Sequence, residues 1–223
     1  MSKPDSPYAI TLADVTAAAD RIASHVWRTP AIDSDALREL TGRTVVLKCE
    51  SMQRTGSFKI RGATNAVRSI LEGDAPRGVV THSSGNHALA LATAAAERSM
   101  PAHVVMPENA SPSKRAAVVR AGAHVVTCGN SGAEREAMAT EVQVRTGATM
   151  VPPFDHPWVM AGQGTIALEI LEQIPNAGTL VIPVGGGGML AGMAIAARAL
   201  RPDIRIIGAE PELAGDAAES KRT

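Results

Sequence analysis

Short apolar runs recur along this chain, and stretches of helical periodicity separate them. Residues 45–49, 79–82, 103–106, 124–128, 180–184 and 205–209 form the apolar runs. Helical patterns occupy about 11–25, 57–72, 86–98, 112–121, 132–146, 158–174 and 188–200. Near-continuous apolar strands have no polar face to offer water, so both faces of their sheets must be covered. Strands that alternate with helices meet that need with parallel sheets and right-handed crossovers. The expected fold class is therefore α/β. The 223 residues suffice for a sizeable core in one or two domains. No internal repeat and no low-complexity tract interrupts the pattern.

Residues 177–197 carry no charge and are long enough to cross a bilayer. Pro183 and four consecutive glycines sit inside that stretch, so it reads as a buried strand, a tight loop and a buried helix. No membrane partner is expected. The 22 basic and 22 acidic residues cancel, and no basic cluster suits a nucleic acid. The aromatic residues, Tyr8, Trp27, Phe58, Phe154 and Trp158, are too few for base-stacking platforms. Cys49 and Cys128 show neither metal spacing nor a disulfide framework, which points to a reducing cytoplasm. Met1–Pro7 is short and polar, without the apolar core of a signal peptide.

Three segments carry chemistry. In Ser57-Phe58-Lys59-Ile60-Arg61-Gly62, one lysine stands between bulky apolar neighbours at a helix start. Burial disfavours an ammonium, so such a lysine offers a free amine for attack on a carbonyl. An exposed lysine on an amphipathic helix is the plainer reading. Ser83-Ser84-Gly85-Asn86-His87 follows a strand and opens the Ala- and Leu-rich helical pattern beyond it. Free backbone N–H groups at such a turn bind anions, a substrate carboxylate among them. An ordinary capping turn needs fewer polar residues than this. Gly185-Gly186-Gly187-Gly188 joins an apolar strand to an apolar helix. With every Cβ removed, the backbone can curl around a phosphate and point its amides inward. A flexible linker would have polar flanks instead.

These segments, in this order, resemble the fold-type II pyridoxal-phosphate enzymes, and within them the serine racemase and serine/threonine dehydratase group. Arg28-Thr29-Pro30, Lys48-Cys49-Glu50, Thr55 to Ala63, Thr81 to His87, Ala161-Gly162-Gln163-Gly164-Thr165 and Pro183 to Gly192 carry the likeness. The resemblance implies a two-lobed α/β fold like that of the tryptophan synthase β chain. Residues 1–75 and 151–223 would form the large cofactor-binding lobe and 76–150 a smaller inserted one. It also implies roles. Lys59 would hold pyridoxal phosphate as a Schiff base, and Gly185, Gly186, Gly187, Gly188 and Met189 would surround the phosphate. Phe58 would flank the ring and Asn86 would bond its 3-hydroxyl. Ser83, Asn86 and His87 would hold the substrate carboxylate. Ser84 matches the position that faces Cα from the side opposite the lysine.

Freed by the substrate amine, Lys59 would act as general base at Cα. With a β-hydroxyl on the substrate, loss of water would lead to a 2-keto acid and ammonia. A proton returned by Ser84 would instead give the D-amino acid. L-Serine, L-threonine and 3-hydroxyaspartate all fit, and Arg135 matches a racemase arginine that would meet a second carboxylate or help close the lobe. A solvated helix charge beside Glu134 and Glu136 explains Arg135 equally well. Glu210, the carbonyl of Ala214 and Asp216 match a site for Mg²⁺, Mn²⁺ or Ca²⁺, hard cations that take oxygen ligands. Without the family these residues read as a solvated acidic loop. Lys114 matches a nucleotide-binding position, but Leu89 and Ala121 replace polar or aromatic residues there, so activation by ATP is not expected.

Members of the group continue beyond the position of Thr223, through a stretch that completes the large lobe and supplies the partner of the pyridine nitrogen. The resemblance therefore implies an incomplete large lobe, exposed strand edges, and either a homodimer or completion by another chain. A vestigial protein without activity of its own is one alternative. The other is a nicotinamide-dependent oxidoreductase, because Gly186-x-Gly188-x-x-Ala191 satisfies the relaxed dinucleotide fingerprint and Glu210 follows the next strand. That alternative leaves Ser57–Gly62 and Ser83–His87 without a purpose.

Overall fold

The computed structural model describes residues 9–220 and 222. The polar stretch Met1–Pro7 lies outside the described residues, as do the outermost ends of the expected large lobe. The elements in order are α1 (Leu12–Ile22), β1 (Ala31–Asp33), α2 (Asp35–Thr41), β2 (Val46–Lys48), α3 (Lys59–Ser69), β3 (Val79–His82), α4 (Asn86–Glu97), β4 (Ala102–Pro107), α5 (Pro112–Arg120) and β5 (His124–Cys128). They continue with α6 (Gly132–Thr146), β6 (Thr149–Met150), α7 (Pro157–Gln173), β7 (Thr179–Pro183), α8 (Gly188–Leu200), β8 (Arg205–Ala209) and α9 (Asp216–Ser220).

A four-stranded parallel sheet has the order β5-β4-β3-β6, and β7 pairs in parallel with β8. The expectation of parallel sheets fails for the first pair. β1 runs antiparallel to β2, with Ile32 opposite Leu47. The chain reverses there through α2, which ends on Gly42 in the left-handed region at φ 66°. No membrane-crossing helix takes up residues 177–197. They form β7, the glycine loop and α8, and among the described residues no helix is long and apolar enough to cross a membrane.

The sheet β5-β4-β3-β6 is covered on both faces, as its apolar strands require. Val79, Val104 and Met106 pack with Leu91 and Ala95 of α4 and Val118 of α5. Val80 and Val105 point the other way, onto Ala139 and Val142 of α6. A separate core joins α1, α7 and α8 to Leu180 and Ile182 of β7. Helix α3 lies between these bodies. Its Ile60, Ala63 and Val67 join the α4 side. Its Gly62 meets α7 so closely that a Cβ on Gly162 would lie 2.6 Å from the Gly62 Cα.

A buried ionic cluster fastens the first turn of α3. Arg61 is fully buried and forks onto Glu50 with two bonds of 2.8 Å. It also donates to Glu169 on α7 at 2.6 and 3.0 Å, to Thr165 at 3.3 Å and to the Trp27 carbonyl at 3.3 Å. Lys48 of β2 donates to Glu169 and to the Thr29 carbonyl. Two cations face two carboxylates, so the cluster is neutral and its guanidinium protons are used. Such geometry offsets the cost of desolvating the charges.

Candidate active site

Lys59 opens α3, two residues before Arg61. At about 100° of rotation per residue, the two side chains leave opposite sides of the helix. Arg61 reaches back into the ionic cluster, and Lys59 projects forward into a cavity of about 220 Å³. Phe58, Phe154, Gly185–Gly188 and Met189 share that cavity with it. Burial pushes the Lys59 amine down from 10.5 to about 8. Its Nζ donates to the Pro153 carbonyl at 2.6 Å and sits 5.2 Å from the centre of the Phe58 ring. Among the described residues no carboxylate forms an ion pair with it. The amine expected from the sequence is thus half-buried, deprotonated with ease and aimed at the glycine loop.

The loop itself is bare backbone. Gly187 has φ 80° and open space where a Cβ would stand, and Gly185 is equally open. Gly186 lies against the Phe154 ring, and a Cβ on Gly188 would come within 2.8 Å of the Phe154 carbonyl. The loop leads into α8, whose N-terminus no side chain caps. Free N–H groups and the positive end of the helix dipole therefore face the cavity mouth. An uncapped cradle of glycines beside a desolvated amine fits a group that carries both a phosphate and an aldehyde.

Ser83, Ser84 and Gly85 connect β3 to α4, and α4 also starts without a side-chain cap. Asn86 is exposed at its first position and His87 is buried at its second. The His87 ring contacts the Val151 carbonyl at 3.0 Å through Nε2. A carbonyl only accepts, so Nε2 carries the proton and Nδ1 is a bare, buried acceptor without a partner. Burial lowers the ring to about 3, with Lys59 among the nearby charges that add to the effect. A neutral ring with only an acceptor free cannot hold a carboxylate. Any such role of His87 falls to its backbone N–H at the start of α4.

The structure does not bring every expected residue into this cavity. Arg135 folds back on its own helix, its Nε donating to the Ser131 carbonyl at 3.3 Å. Its charge is felt at His82 and Cys128. Glu210 accepts from the Ala217 and Ala218 N–H groups at 3.1 and 2.7 Å, capping α9 with both oxygens. Among the described residues no group of three or more His, Cys, Asp or Glu side chains is placed to hold a metal. A larger groove of about 780 Å³ lies between the β1–β2 pair and β7. Its one amine is not free for chemistry in the way Lys59 is: Lys48 is spent on Glu169. The smaller cavity is therefore the reactive one. Pro153 and Phe154 were invisible as site residues in the sequence, where Val151-Pro152-Pro153 reads only as a crossing between lobes. The paired prolines were the available signal.

Comparison with known proteins agrees with this geometry. The family model described as pyridoxal-phosphate dependent enzyme matches residues 22–223. Human serine racemase is 49% identical over 218 residues, covering 96% of this chain and 64% of its own length. The beta-hydroxyaspartate dehydratase of Paracoccus denitrificans is 46% identical over 213 residues, covering 96% of this chain and 68% of its own. The structure of maize serine racemase superposes with a TM-score of 0.95 at 43% identity, over 96% of this chain and 65% of that one. The chain spans 63–65% of the length of the rice, human and Arabidopsis serine racemases.

Proposed function

The chain belongs to the pyridoxal-phosphate dependent enzyme family, and from that premise we propose that it catalyses β-elimination on a β-hydroxy amino acid, giving a 2-keto acid and ammonia. The observation that carries the reading is Lys59, an amine lowered to about 8 and facing an uncapped glycine loop. Family membership displaces the dinucleotide reading of that loop. Serine, 3-hydroxyaspartate and threonine are the substrates that the names of related proteins suggest.

Pyridoxal phosphate, when bound, supplies an electron sink for the pair left at Cα when its proton departs. The rest falls to this chain. Lys59 would hold the aldehyde carbon until the substrate amine replaces it. Amides of Gly185–Met189 would hold the phosphate, Phe58 would pack along the ring, and Asn86 would bond the ring hydroxyl. Backbone N–H groups from Ser83 to His87, with the Ser83 hydroxyl, would bind the substrate carboxylate. Lys59 Nζ then takes the α-proton: the C–H bond breaks and an N–H bond forms. The β C–O bond breaks next, and that proton leaves with the hydroxyl as water. Hydrolysis of the released unsaturated amine consumes one water and yields the 2-keto acid and ammonia. Return of a proton from Ser84 on the opposite side would invert Cα instead, the racemase branch. Closure of residues 76–150 over the remainder would exclude water from the amine. Arg135 would serve a second carboxylate only after swinging away from Ser131.

A divalent cation at Glu210, the Ala214 carbonyl and Asp216 belongs to the same proposal. It would require Glu210 to exchange two helix N–H bonds for the metal, which titration calorimetry with Mg²⁺ on Glu210→Gln and the parent chain would test. The decisive experiment is reduction with borohydride in the presence of pyridoxal phosphate, followed by peptide mapping. Pyridoxyl label on Lys59 supports the reading, and label scattered over exposed lysines removes it. Keto acid release from L-serine, L-threonine and 3-hydroxyaspartate separates an active dehydratase from an inert binder.

A further inference from the structure

The segment Val151–Phe154 touches each functional part of the cavity. Val151 extends β6, its N–H donating to the Val80 carbonyl at 2.9 Å and its carbonyl accepting from His87 at 3.0 Å. Pro152 and Pro153 follow, and their rings fix φ near −65°, so little freedom separates Val151 from the Pro153 carbonyl. That carbonyl accepts from Lys59 Nζ at 2.6 Å. Phe154 then lays its ring and carbonyl against Gly186 and Gly188. The Phe154 carbonyl accepts from the His156 N–H at 2.8 Å, which closes the segment at its far end.

We infer that the Pro153 carbonyl is the acceptor that holds and orients the Lys59 amine whenever that amine is free, and that His87 is a positioning residue for this carbonyl. The inference rests on Lys59 being the base of the proposed reaction. A lysine that must take a proton from carbon needs its lone pair turned toward Cα. A carboxylate partner would fix the amine but hold it in the charged form. A neutral carbonyl takes one N–H and leaves the nitrogen basic but not saturated. With that bond made, rotation about Cε–Nζ is restricted and the lone pair keeps one direction. The fully buried, neutral His87 is suited to the supporting role. It has one donor, and that donor is spent on the carbonyl two residues upstream of Pro153.

The test weakens the carbonyl and leaves every side chain in place. Phenyllactic acid incorporated at position 154 by nonsense suppression converts the amide between Pro153 and Phe154 into an ester. An ester carbonyl is the weaker acceptor. The Phe154 N–H that is lost has no hydrogen-bond partner among the described residues, so the fold is left intact, as thermal unfolding will show. Competitive acylation with mass spectrometry then reads the Lys59 titration in the cofactor-free chain. A hydrogen bond to the ammonium raises its pKa, so weakening it lowers the apparent pKa and speeds adduct formation at neutral pH by about threefold. Exchange of the serine α-proton for deuterium should fall by about tenfold or more, because orientation is lost. His87→Leu should act in the same directions, and His87→Gln, which keeps a donor, should restore wild-type behaviour. A merely structural role would slow both adduct formation and exchange. An unchanged Lys59 titration in the ester variant, or slowing of both steps, overturns the inference while leaving Lys59 as the attachment point. Failure of the parent chain to label at Lys59 overturns the inference and the proposed function together.

Discussion

Replacing Arg61 with methionine removes the fork from a fully buried cluster and leaves Glu50 and Glu169 behind. Stranding buried carboxylates costs about 3–5 kcal/mol, several times the worth of an exposed pair. The side chains of Glu50 and Glu169 are 12% and 15% exposed, so solvent offers little relief. Partial partners remain, since Thr29 still donates to Glu50 at 2.6 Å and Lys48 still pairs with Glu169. The loss should therefore fall at the lower end, about 3 kcal/mol at pH 7. For a chain of this size that corresponds to a drop of roughly 6–12 °C in Tm. The pH dependence carries the sharper prediction. Burial pushes the Glu169 carboxyl up, but bonds and charge from Arg61 and then Lys48 bring it below its usual value. A depressed carboxylate contributes stability that is present above its unfolded pKa, about 4.3, and is lost as pH falls through the folded value. In Arg61→Met burial dominates, so the carboxyl accepts a proton more readily and the variant gains relative to the parent as pH falls. Urea unfolding at pH 7 and pH 5 reads both numbers. A deficit under about 1 kcal/mol at pH 7, or one that widens toward pH 5, refutes the account of the cluster.

Three further outcomes follow from the same geometry. Adduct formation at Lys59 should rise about tenfold per pH unit below its pKa and level off near 8, whereas an ordinary lysine would continue to gain rate toward 10.5, as stopped-flow absorbance can follow. Gly186→Ala places a methyl in the Phe154 ring and should weaken pyridoxal phosphate binding by about tenfold or more. Adding Phe154→Ala should recover part of that loss, and strict additivity in the double variant would contradict the contact. Val181 is 65% exposed on β7, beside the exposed Leu47 and the large groove. Val181→Lys should reduce self-association in size-exclusion chromatography, and a parent chain that elutes as a clean monomer at high concentration would count against an adhesive edge.

What the sequence disclosed and what it hid divide along a physical line. Six of the eight strands and seven of the nine helices among the described residues lie in runs long enough to express a period. The elements missed are β1 at three residues, α2 at seven, β6 at two and α9 at five, too short to do so. Lys59, the Ser83–His87 turn and the glycine loop were legible because each is a local string whose chemistry lies in residue types. Pro153 was not, because it acts through a backbone carbonyl on an amine 94 positions away. Arg61 stands within the Ser57–Gly62 motif, yet its partner Glu169 lies 108 positions on, and no local pattern announces the pair.

One local signal for the site remained unread, and it concerns what is missing. α1, α2, α6 and α7 begin with a capping side chain, from Thr11, Ser34, Ser131 and His156. α3, α4 and α8 begin after Phe58, Gly85 and Gly187, none of which caps. A cap contributes about 1 kcal/mol, so three helices that go without it leave their first N–H groups unsatisfied at a real cost. Those three ends carry Lys59, the Ser83–His87 turn and the glycine loop. α5 is the exception, since Ser111 stands at its start without capping and Pro112 already lacks one of the donors. The residue at the N-cap thus distinguishes helices that end in themselves from helices whose ends are kept open for a ligand. Filling one such end tests this directly: Gly85→Ser, at a position with open space apart from Lys114 at 3.8 Å, should raise Tm while weakening carboxylate binding. A rise in Tm with substrate affinity unchanged would show that the α4 N-terminus is not where the carboxylate sits.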